Sequence, residues 1–407
     1  MSTIGEALTS SRRNGSVEEV AEGVAQFHGF CNVGFVYGGG AALVVDTSNV
    51  ILGARAAVKL HEATTEPLAA IVYTHGHVDH VGGAPAFLAG AEQRGQTRPA
   101  VWGHESVDER LDRYLRTWGW NNEVNRRQFQ LPPGIDAFPK SFVRPDHTYR
   151  DHATIDLAGE TVELHHARAE TDDATWVWLP QREVALVGDL SVQSLPNTGN
   201  PNKPQRYTLG WAETLEAIAA RKPKVVVPGH GDPIRGDLVL EVLSETARAL
   251  RFLHDAVLAR MNAGQWPDEI VDAAIALPDD LARKPYLQPI YGCAPFVVRD
   301  VLRFYAGWWG GNPAELIPAR RADVARDLVA VAGRDALFGK AESLRAAGEP
   351  RRALHLAMVL TQADAHDHEA QELVARVCDD IVAVEPSFIA RNFYLVAAAQ
   401  ARAAGRS

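Results

Sequence analysis

The most informative feature of the sequence is a short run of side chains that can bind metal ions. Residues 75–80 read His-Gly-His-Val-Asp-His and follow an apolar run at residues 69–73, which predicts a buried strand. The two histidines at i and i+2 can hold one metal ion, and the aspartate and the last histidine can turn toward a second. The alternative is a histidine-rich surface loop without metal. We favour metal binding because further candidate ligands occur downstream.

The motif His-x-His-x-Asp-His resembles the signature of the metallo-β-lactamase superfamily. That fold is α/β, an αββα sandwich that supplies its later ligands from strand ends. Three candidates follow β-branched segments in the required order, namely Glu170, Asp189 and His230. Glu170 stands where most of the superfamily has a histidine.

The resemblance implies a site for two metal ions. We assign His75, His77 and Glu170 to one ion, with Asp189 as a bridge. The second ion takes the remaining ligands, Asp79, His80 and His230. Nitrogen and oxygen ligands without thiolate favour two Zn²⁺ ions, with iron or manganese as alternatives. Such a pair holds a bridging hydroxide at neutral pH, which predicts hydrolysis of a sulfate, carboxylate, lactone or phosphate ester.

Glutamate at the third ligand position narrows the resemblance to the alkyl-sulfatase branch, which cleaves sulfate esters at a two-zinc site. In that branch an acidic bridging ligand follows the glutamate after about nineteen residues, and Glu170 and Asp189 are nineteen apart; the best-known members have glutamate where this chain has Asp189. The likeness continues through residues 196–201 and 205–207. Residues 303–314 resemble the branch's helical dimerisation region, which implies a homodimer.

One departure leaves the substrate open. The secreted detergent-degrading members carry a histidine, the proposed general acid, where this chain has residues 294–298, Ala-Pro-Phe-Val-Val. A carboxyl-ester or lactone hydrolase on the same scaffold is therefore the second hypothesis. An iron-dependent oxidoreductase is a third, although no segment resembles the flavin domain that such enzymes need. A non-catalytic binding protein is disfavoured, because no ligand is missing.

A cationic side chain is expected beside the metals, because three carboxylate ligands nearly neutralise two divalent ions. Arg206 is the first candidate, since a guanidinium fork matches a sulfate or carboxylate edge. We therefore predict Asp79, Asp189 and Arg206 as catalytic residues, with a surface position for Arg206 as the alternative. Asp172 and Asp173 are candidates to orient ligand histidines. Tyr291 is predicted to line either an apolar pocket or the core.

Composition limits the class of protein. The 407 residues are 46% hydrophobic and 23% charged, which is ordinary for a globular protein. A net charge of −10 argues against nucleic acid as a partner. The expected substrate, a small anionic ester, is what the resemblance to the alkyl-sulfatase branch implies. No apolar run is long enough to span a membrane, and the polar N terminus does not resemble a signal peptide. Three scattered cysteines indicate reduced thiols and a cytoplasmic protein.

The hydrophobic pattern divides the chain into a catalytic domain, residues 1–236, and a helical dimerisation-type domain, residues 237–407. Residues 1–25 are expected to form a helical or loose arm. Two apolar runs around Gly38–Gly40 predict a hairpin, and strands recur at 161–167, 175–179, 183–188 and 224–228. From residue 237 the pattern is helical, and residues 334–403 predict a stack of α-hairpins. We expect this stack to serve packing or dimerisation rather than peptide binding.

Overall fold

The computed structural model describes residues 15–406, in which two β-sheets pack face to face. The first sheet follows the order of the chain: β1 (Val17–Ala21), β2 (Val24–Phe27), β3 (Val33–Gly38), β4 (Ala41–Val45), β5 (Leu68–Val72), β6 (Ala100–His104) and β7 (His147–Tyr149). Neighbouring strands are antiparallel from β1 to β4 and parallel from β4 to β7.

The second sheet contains the remaining described strands: β8 (His152–Leu157), β9 (Glu160–Ala167), β10 (Ala174–Leu179), β11 (Val184–Gly188), β12 (Val225–Pro228) and β13 (Ile234–Arg235). They also lie in chain order, and only β11 and β12 pair in parallel. A crossover helix joins that parallel pair, as parallel pairing requires. Both parallel segments end at strand tips that carry candidate ligands.

Helices accompany the sheets in the first half of the chain: α1 (Val50–Ala63), α2 (Val78–Val81), α3 (Ala84–Gln93), α4 (Ser106–Arg116), α5 (Trp118–Phe129) and α6 (Thr208–Ala220). The later helices are α7 (Asp237–Asn262), α8 (Pro267–Asp272), α9 (Asp279–Ala282), α10 (Ala294–Ala306), α11 (Arg321–Ala332), α12 (Arg334–Ala346), α13 (Pro350–Ala363), α14 (His368–Val384) and α15 (Phe388–Ala404). Short 3₁₀ turns occur at Pro285–Leu287 and Pro313–Glu315.

Two apolar cores hold the sandwich together. One lies between the sheets, where side chains of the first sheet such as Leu43 and Val72 meet side chains of the second such as Leu164 and Val177. The other lies on the outer face of the first sheet and takes residues from α1, α3 and α4, including Leu60, Phe87 and Leu111. This arrangement confirms the predicted αββα sandwich.

The described chain groups into two compact units. The first comprises residues as far as Asn122, together with Asp136–Gly264 and Ala273–Tyr305. The second comprises Glu123–Ile135, Gln265–Asp272 and the residues from Ala306 onward. The first unit thus contains α7, which the sequence assigned to residues 237–407. The division into residues 1–236 and 237–407 stays a prediction.

The second unit has its own core, built from α12 to α15. Small and branched side chains such as Ala341, Leu373 and Ile381 are buried there. Adjacent helices of this group pack against each other in sequence, as a stack of α-hairpins does. The predicted helical C-terminal region is therefore confirmed.

The N-terminal arm was predicted incorrectly in its described part. Residues 17–21 and 24–27 are strands β1 and β2, which pair in antiparallel fashion at one edge of the first sheet. The turn between them uses Gly23 at φ +65°. Residues 1–14 of the predicted arm lie outside the described residues.

Two further expectations concern thiols and membranes. Cys31, Cys293 and Cys378 form no disulfide with one another. Among residues 15–406, no helix combines the length and the apolar character that crossing a membrane requires.

The loop after β4 is packed tightly against the short helix α2, and glycine makes this approach possible. The backbone N–H and the hydroxyl of Thr47 both donate to the carbonyl of His80, at 2.7 and 2.8 Å. At the next turn Gly83 lies against the same loop, where a Cβ would stand 2.0 Å from the Thr47 carbonyl oxygen and 2.7 Å from the Cα of Gly53. Only glycine fits at this crossing.

We predict that Gly83→Ala lowers the free energy of unfolding by about 1–3 kcal/mol, since the added methyl group forces the backbone apart. The measurement is thermal unfolding of the variant beside the wild type. Gly119→Ala is the matched control, because no atom lies within 4 Å of its Cβ position and alanine favours the helix α5. Equal melting temperatures for the two variants would contradict this packing argument.

Candidate metal centre

All seven predicted ligands meet at one end of the sandwich. The loop after β5 and the helix α2 carry His75, His77, Asp79 and His80. The other three lie just beyond strands of the second sheet: Glu170 after β9, Asp189 after β11 and His230 after β12. Strand-end loops of both sheets thus build the site. The placement agrees with the prediction from the sequence, and the role of these residues as metal ligands remains a proposal.

The first group consists of His75, His77, Glu170 and Asp189, whose donor atoms all lie within 4.8 Å of one another. His75 Nε2 and His77 Nδ1 are 2.6 Å apart. Glu170 Oε2 is 3.7 Å from each of these nitrogens. Three donor atoms that converge in this way leave room for one ion between them.

The second group consists of Asp79, His80 and His230. Asp79 Oδ2 lies 3.9 Å from His80 Nε2 and 3.5 Å from His230 Nε2. Asp189 belongs to the first group, yet its Oδ1 is 3.3 Å from both of these imidazole nitrogens. It therefore stands between the two groups, where a bridging ligand is needed.

The chemistry of the donor atoms fits a pair of divalent cations. His80 Nε2, Glu170 Oε2 and Asp189 Oδ1 are buried and have no hydrogen-bond partner among residues 15–406. Buried polar atoms without partners are rare in folded proteins, and an ion satisfies them. Burial also lowers the pKa of His75 and of His77 well below the usual value, so that both imidazoles are neutral, as metal ligation requires.

The outward-facing nitrogens of the candidate ligands are held by the surrounding fold. His80 Nδ1 lies 2.7 Å from Asp46 Oδ2, and His230 Nδ1 lies 2.5 Å from the Phe30 carbonyl oxygen. Asp46 also accepts hydrogen bonds from the backbone N–H and the hydroxyl of Thr74, both at 2.7 Å. Such contacts fix the ring orientation and direct the opposite nitrogen into the site.

Cys31, Asp46 and His80 form a third cluster of possible donor atoms. Burial raises the pKa of the Cys31 thiol well above its usual value. Cys31 Sγ lies 3.4 Å from His80 Nδ1. The other nitrogen of this ring, Nε2, points instead toward Asp189 Oδ1 at 3.3 Å. We therefore assign Cys31 and Asp46 to the support of His80.

Asp172 and Asp173 hold the loop at residues 75–80 in a different way from the one predicted. Neither bonds a ligand histidine side chain in the described structure. Asp173 Oδ2 accepts from the backbone N–H of Gly76 at 2.9 Å, and its Oδ1 accepts from Arg110 Nε at 2.8 Å. Arg110 also pairs with Asp172. Although burial alone would raise it, this arginine holds the pKa of Asp173 at about 2.

Arg206 lies at the site, but its guanidinium is committed to protein groups. Nη1 forms an ion pair with Glu170 Oε1 and donates to the Asn197 carbonyl oxygen at 2.9 Å. Arg206 is buried, so the alternative of a surface arginine is wrong. Burial raises the pKa of Glu170 to about 7 although Arg206 opposes the shift. The arginine thus stabilises the ionised form of a candidate ligand.

Lys203 did not stand out in the sequence, and Tyr291 was expected only in an apolar pocket or in the core. Burial, with the charge of Arg206, lowers the pKa of Lys203 to about 8, and Asp79 and Glu170 act in the opposite direction. Tyr291 interacts electrostatically with the same carboxylates, and burial raises the pKa of its phenol. Both lie in irregular segments, where periodicity carries no signal. Asp46 directly follows the apolar run of β4, so the sequence pattern could have indicated it as a residue of the site.

We predict that Asp46→Asn weakens zinc binding by about 10- to 100-fold, the usual cost of losing a partner behind a ligand histidine. The amide fits the same space but is uncharged, and with its oxygen on the Thr74 backbone N–H its nitrogen faces His80 Nδ1 as a donor and not as an acceptor. The measurement is competition for zinc against a chromophoric chelator, with circular dichroism to verify the fold. Asp327→Asn, at an exposed position, is the control. Unchanged zinc affinity in Asp46→Asn would refute the role of this carboxylate.

Comparison with known proteins identifies the family. The sequence profile of the metallo-beta-lactamase superfamily matches residues 27–230, just over half of the chain, and the alkyl sulfatase dimerisation profile matches residues 266–404. A linear primary-alkylsulfatase from Pseudomonas sp. is 29% identical over 88% of this chain and 71% of its own length. An (R)-specific secondary-alkylsulfatase from Pseudomonas sp. is 26% identical over 91% of this chain.

This chain spans 60% of that secondary-alkylsulfatase. The solved structure of the inverting sec-alkylsulfatase Pisa1 from Pseudomonas sp. superposes with a TM-score of 0.84 at 24% identity, over 95% of this chain and 65% of Pisa1. The likeness in structure shows a shared fold across both units of the chain. The chain belongs to the metallo-beta-lactamase superfamily, with an alkyl sulfatase dimerisation region after its sandwich.

Proposed function

We propose that the protein is a dinuclear metal-dependent hydrolase that cleaves a sulfate ester of a small organic alcohol. The observation that carries this proposal is the convergence of two donor groups on Asp189, whose Oδ1 is 3.3 Å from His80 Nε2 and from His230 Nε2. Support for a sulfate substrate comes from the two relatives named above. Both are alkylsulfatases, and their sequence similarity extends over 88% and 91% of this chain.

The residues divide the work between binding and orientation. His75, His77 and Glu170 hold one cation, and Asp79, His80 and His230 hold the other. The mixed nitrogen and oxygen donors favour Zn²⁺, with iron or manganese as alternatives. When bound, two such cations lower the pKa of a water molecule toward ~7 and polarise an ester oxygen. Asp189 fixes the distance between the two groups.

The electrostatics of the described residues suit an anionic ester. Arg206 offsets the charge of Glu170, so that this carboxylate repels a substrate anion less than an unpaired one. Lys203 adds a second basic side chain near Asp79 and Glu170. A small anionic ester therefore meets a net attraction once two divalent cations are in place.

We also propose a cytoplasmic location, from the low cysteine content and the absence of Cys-x-x-Cys spacing.

A carboxyl ester or lactone is the second candidate substrate. It is favoured by the lack of histidine in residues 294–298 and by the contacts of other histidines near the site. His104 Nε2 lies 2.9 Å from the Arg150 carbonyl oxygen, and His166 Nε2 lies 2.9 Å from that of Asp172. The two rings stack on each other at 3.8 Å. Neither histidine is placed as an acid for a leaving alkoxide.

We predict that the zinc-loaded protein releases inorganic sulfate from an alkyl sulfate and that Asp79→Ala abolishes this release, since the second group loses its carboxylate. The measurement is ion chromatography of sulfate, run beside assays with a carboxylate ester, a lactone and a phosphodiester. Hydrolysis of the carboxylate ester or the lactone alone would replace the sulfate proposal with the second candidate. Turnover that persists in Asp79→Ala would exclude this site as its source.

We also propose that the protein is a homodimer and that an apolar face of the second unit pairs with a second copy. Val324, Leu328 and Val331 recur at helical spacing on α11 and remain exposed, Val331 to 90%. Ile317, just before this helix, is also 90% exposed. A large exposed apolar patch marks an interaction site, and the matching profile describes this region as a dimerisation domain.

We predict that the double variant Leu328→Lys, Val331→Lys converts a dimer into a monomer, because two charges would be buried at the contact without partners. The measurement is light scattering after size-exclusion chromatography, where the dimer has twice the 44.3 kDa mass of the chain. Val58→Lys is the control, an exposed valine on α1 in the first unit. A wild-type protein that elutes as a monomer would disprove the pairing.

A further inference from the structure

Residues 228–231, which we call the His230 loop, are held from two sides. On one side the loop crosses the end of β11, where the backbone N–H of Gly229 donates to the Gly188 carbonyl oxygen at 2.7 Å. The approach is close, since a Cβ at Gly229 would stand 2.5 Å from Asp189 Oδ1. The backbone of the loop, and not only its imidazole, therefore packs against the candidate bridging ligand.

The other side of the His230 loop lies against Asn32, the residue before β3. The backbone N–H of Asn32 donates to the Gly229 carbonyl oxygen at 2.7 Å. Its side-chain Nδ2 donates to the Pro228 carbonyl oxygen at 3.0 Å and to the Gly231 carbonyl oxygen at 2.8 Å. A primary amide has two N–H bonds, so Asn32 uses both of them on this loop. One residue thus holds the carbonyl groups on both sides of His230.

Asn32 is itself fixed in the first sheet. Its side chain is only 4% exposed, and its Oδ1 accepts from the backbone N–H of Gly29 at 3.4 Å. The strand that follows it, β3, lies between β2 and β4 and pairs with both. Two residues earlier in the chain, the Phe30 carbonyl oxygen lies 2.5 Å from His230 Nδ1. The same segment therefore orients both the backbone of the His230 loop and the imidazole ring.

A second buried amide supports the loop at one of these carbonyl groups. Gln26 on β2 is fully buried, and its Nε2 donates to the Gly231 carbonyl oxygen at 2.9 Å. This oxygen accepts from Asn32 as well, and its two lone pairs are enough for two donors. Neighbouring strands of the first sheet thus reach across to the loop that ends β12 in the second sheet.

We propose that Asn32, assisted by Gln26, is a positioning residue that sets the affinity of the second cation site through the His230 loop. This inference rests on the proposed function, because it takes the two donor groups as sites for divalent cations. Without the Asn32 amide, the backbone on both sides of His230 loses its hydrogen bonds to the first sheet. The imidazole is then no longer held beside Asp79 and Asp189.

The effect should be confined to one of the two donor groups. The bonds from Asn32 and Gln26 to the loop end on Pro228 and Gly231, whereas the first group is built on the loop after β5 and the segment after β9. Losing the support behind a metal ligand usually lowers metal affinity by about 10- to 100-fold. We therefore expect a variant without this support to keep the first ion and to bind the second one weakly.

The test is a zinc titration of the metal-free protein in competition with a chromophoric chelator, which gives a stepwise constant for each ion. We expect wild type to bind two ions. Asn32→Ala should bind the first ion as wild type does and the second about 10- to 100-fold more weakly. A second constant within about twofold of wild type would overturn the proposal. Equal weakening of both constants would also overturn it, since the whole site would then have loosened.

Asn122→Ala is the matched control for the loss of a buried asparagine. Asn122 on α5 is 3% exposed, its Nδ2 donates to the Trp118 carbonyl oxygen at 3.1 Å, and its Oδ1 accepts from the Phe138 N–H at 3.0 Å. Both variants lose hydrogen bonds to backbone groups, so both should melt at a lower temperature. Only Asn32→Ala should change a zinc constant.

Asn32→Asp separates hydrogen bonding from charge. The carboxylate has the size of the amide but presents an acceptor to the carbonyl groups of Pro228 and Gly231. Its negative charge alone would attract a cation, so weaker binding of the second ion in this variant supports the proposal. Tighter binding of that ion would overturn it.

Gln26→Met decides the question if Asn32→Ala does not fold, as circular dichroism would show. It removes one of the two donors to the Gly231 carbonyl oxygen and fills a similar volume. We expect the second ion to bind about fivefold more weakly, the effect of one hydrogen bond. An unchanged second constant in this variant would contradict the proposal.

The outcomes also distinguish this inference from the proposed function. If wild type binds two zinc ions, Asn32→Ala binds the second weakly and neither releases sulfate from esters, the positioning role stands and sulfate-ester hydrolysis fails. If wild type hydrolyses sulfate esters and Asn32→Ala binds both ions as wild type does, hydrolysis stands and the positioning role fails. A wild type that binds one ion only would overturn both.

Discussion

The ion pair between Glu170 and Arg206 is the interaction on which the site depends. A buried carboxylate is expensive without a partner, and burial raises the pKa of Glu170 to about 7 even beside the arginine. Arg206 stabilises the ionised form of this candidate ligand and, through the Asn197 carbonyl, connects it to residues 195–206. A single guanidinium therefore joins the candidate ligand Glu170 to the segment that follows β11.

The sandwich makes this concentration of charge possible because each ligand-bearing loop is anchored from behind. Asp46, at the end of β4, holds both His80 and Thr74, and Asp173 holds the Gly76 backbone and Arg110. These hydrogen bonds satisfy polar groups that are buried away from water. The candidate donor atoms are thus held in place by the loops that follow the strand ends.

The sequence predicted the parts of the site whose signal is local. The run at residues 75–80 follows its strand directly, and Asp189 and His230 each end an apolar run, so strand ends could be assigned from the pattern alone. The pairing of Arg206 and the positions of Asn197 and Lys203 could not be predicted in this way. They depend on close packing between residues 195–206 and α10, which joins segments about a hundred residues apart. Periodicity has no access to such contacts.

Charge accounting favours an anionic substrate over a neutral ester. Two divalent cations would exceed the three candidate ligand carboxylates Asp79, Glu170 and Asp189 by one positive charge, which a bridging hydroxide would cancel, and Arg206 and Lys203 add two positive charges. In a buried site of low dielectric, excess positive charge is itself unfavourable and attracts an anion. A neutral lactone would leave that excess uncompensated, whereas a sulfate monoester would reduce it. On the proposed function, Arg206 and Lys203 would therefore favour a sulfate ester, even though the candidate metal ligands alone are compatible with either ester.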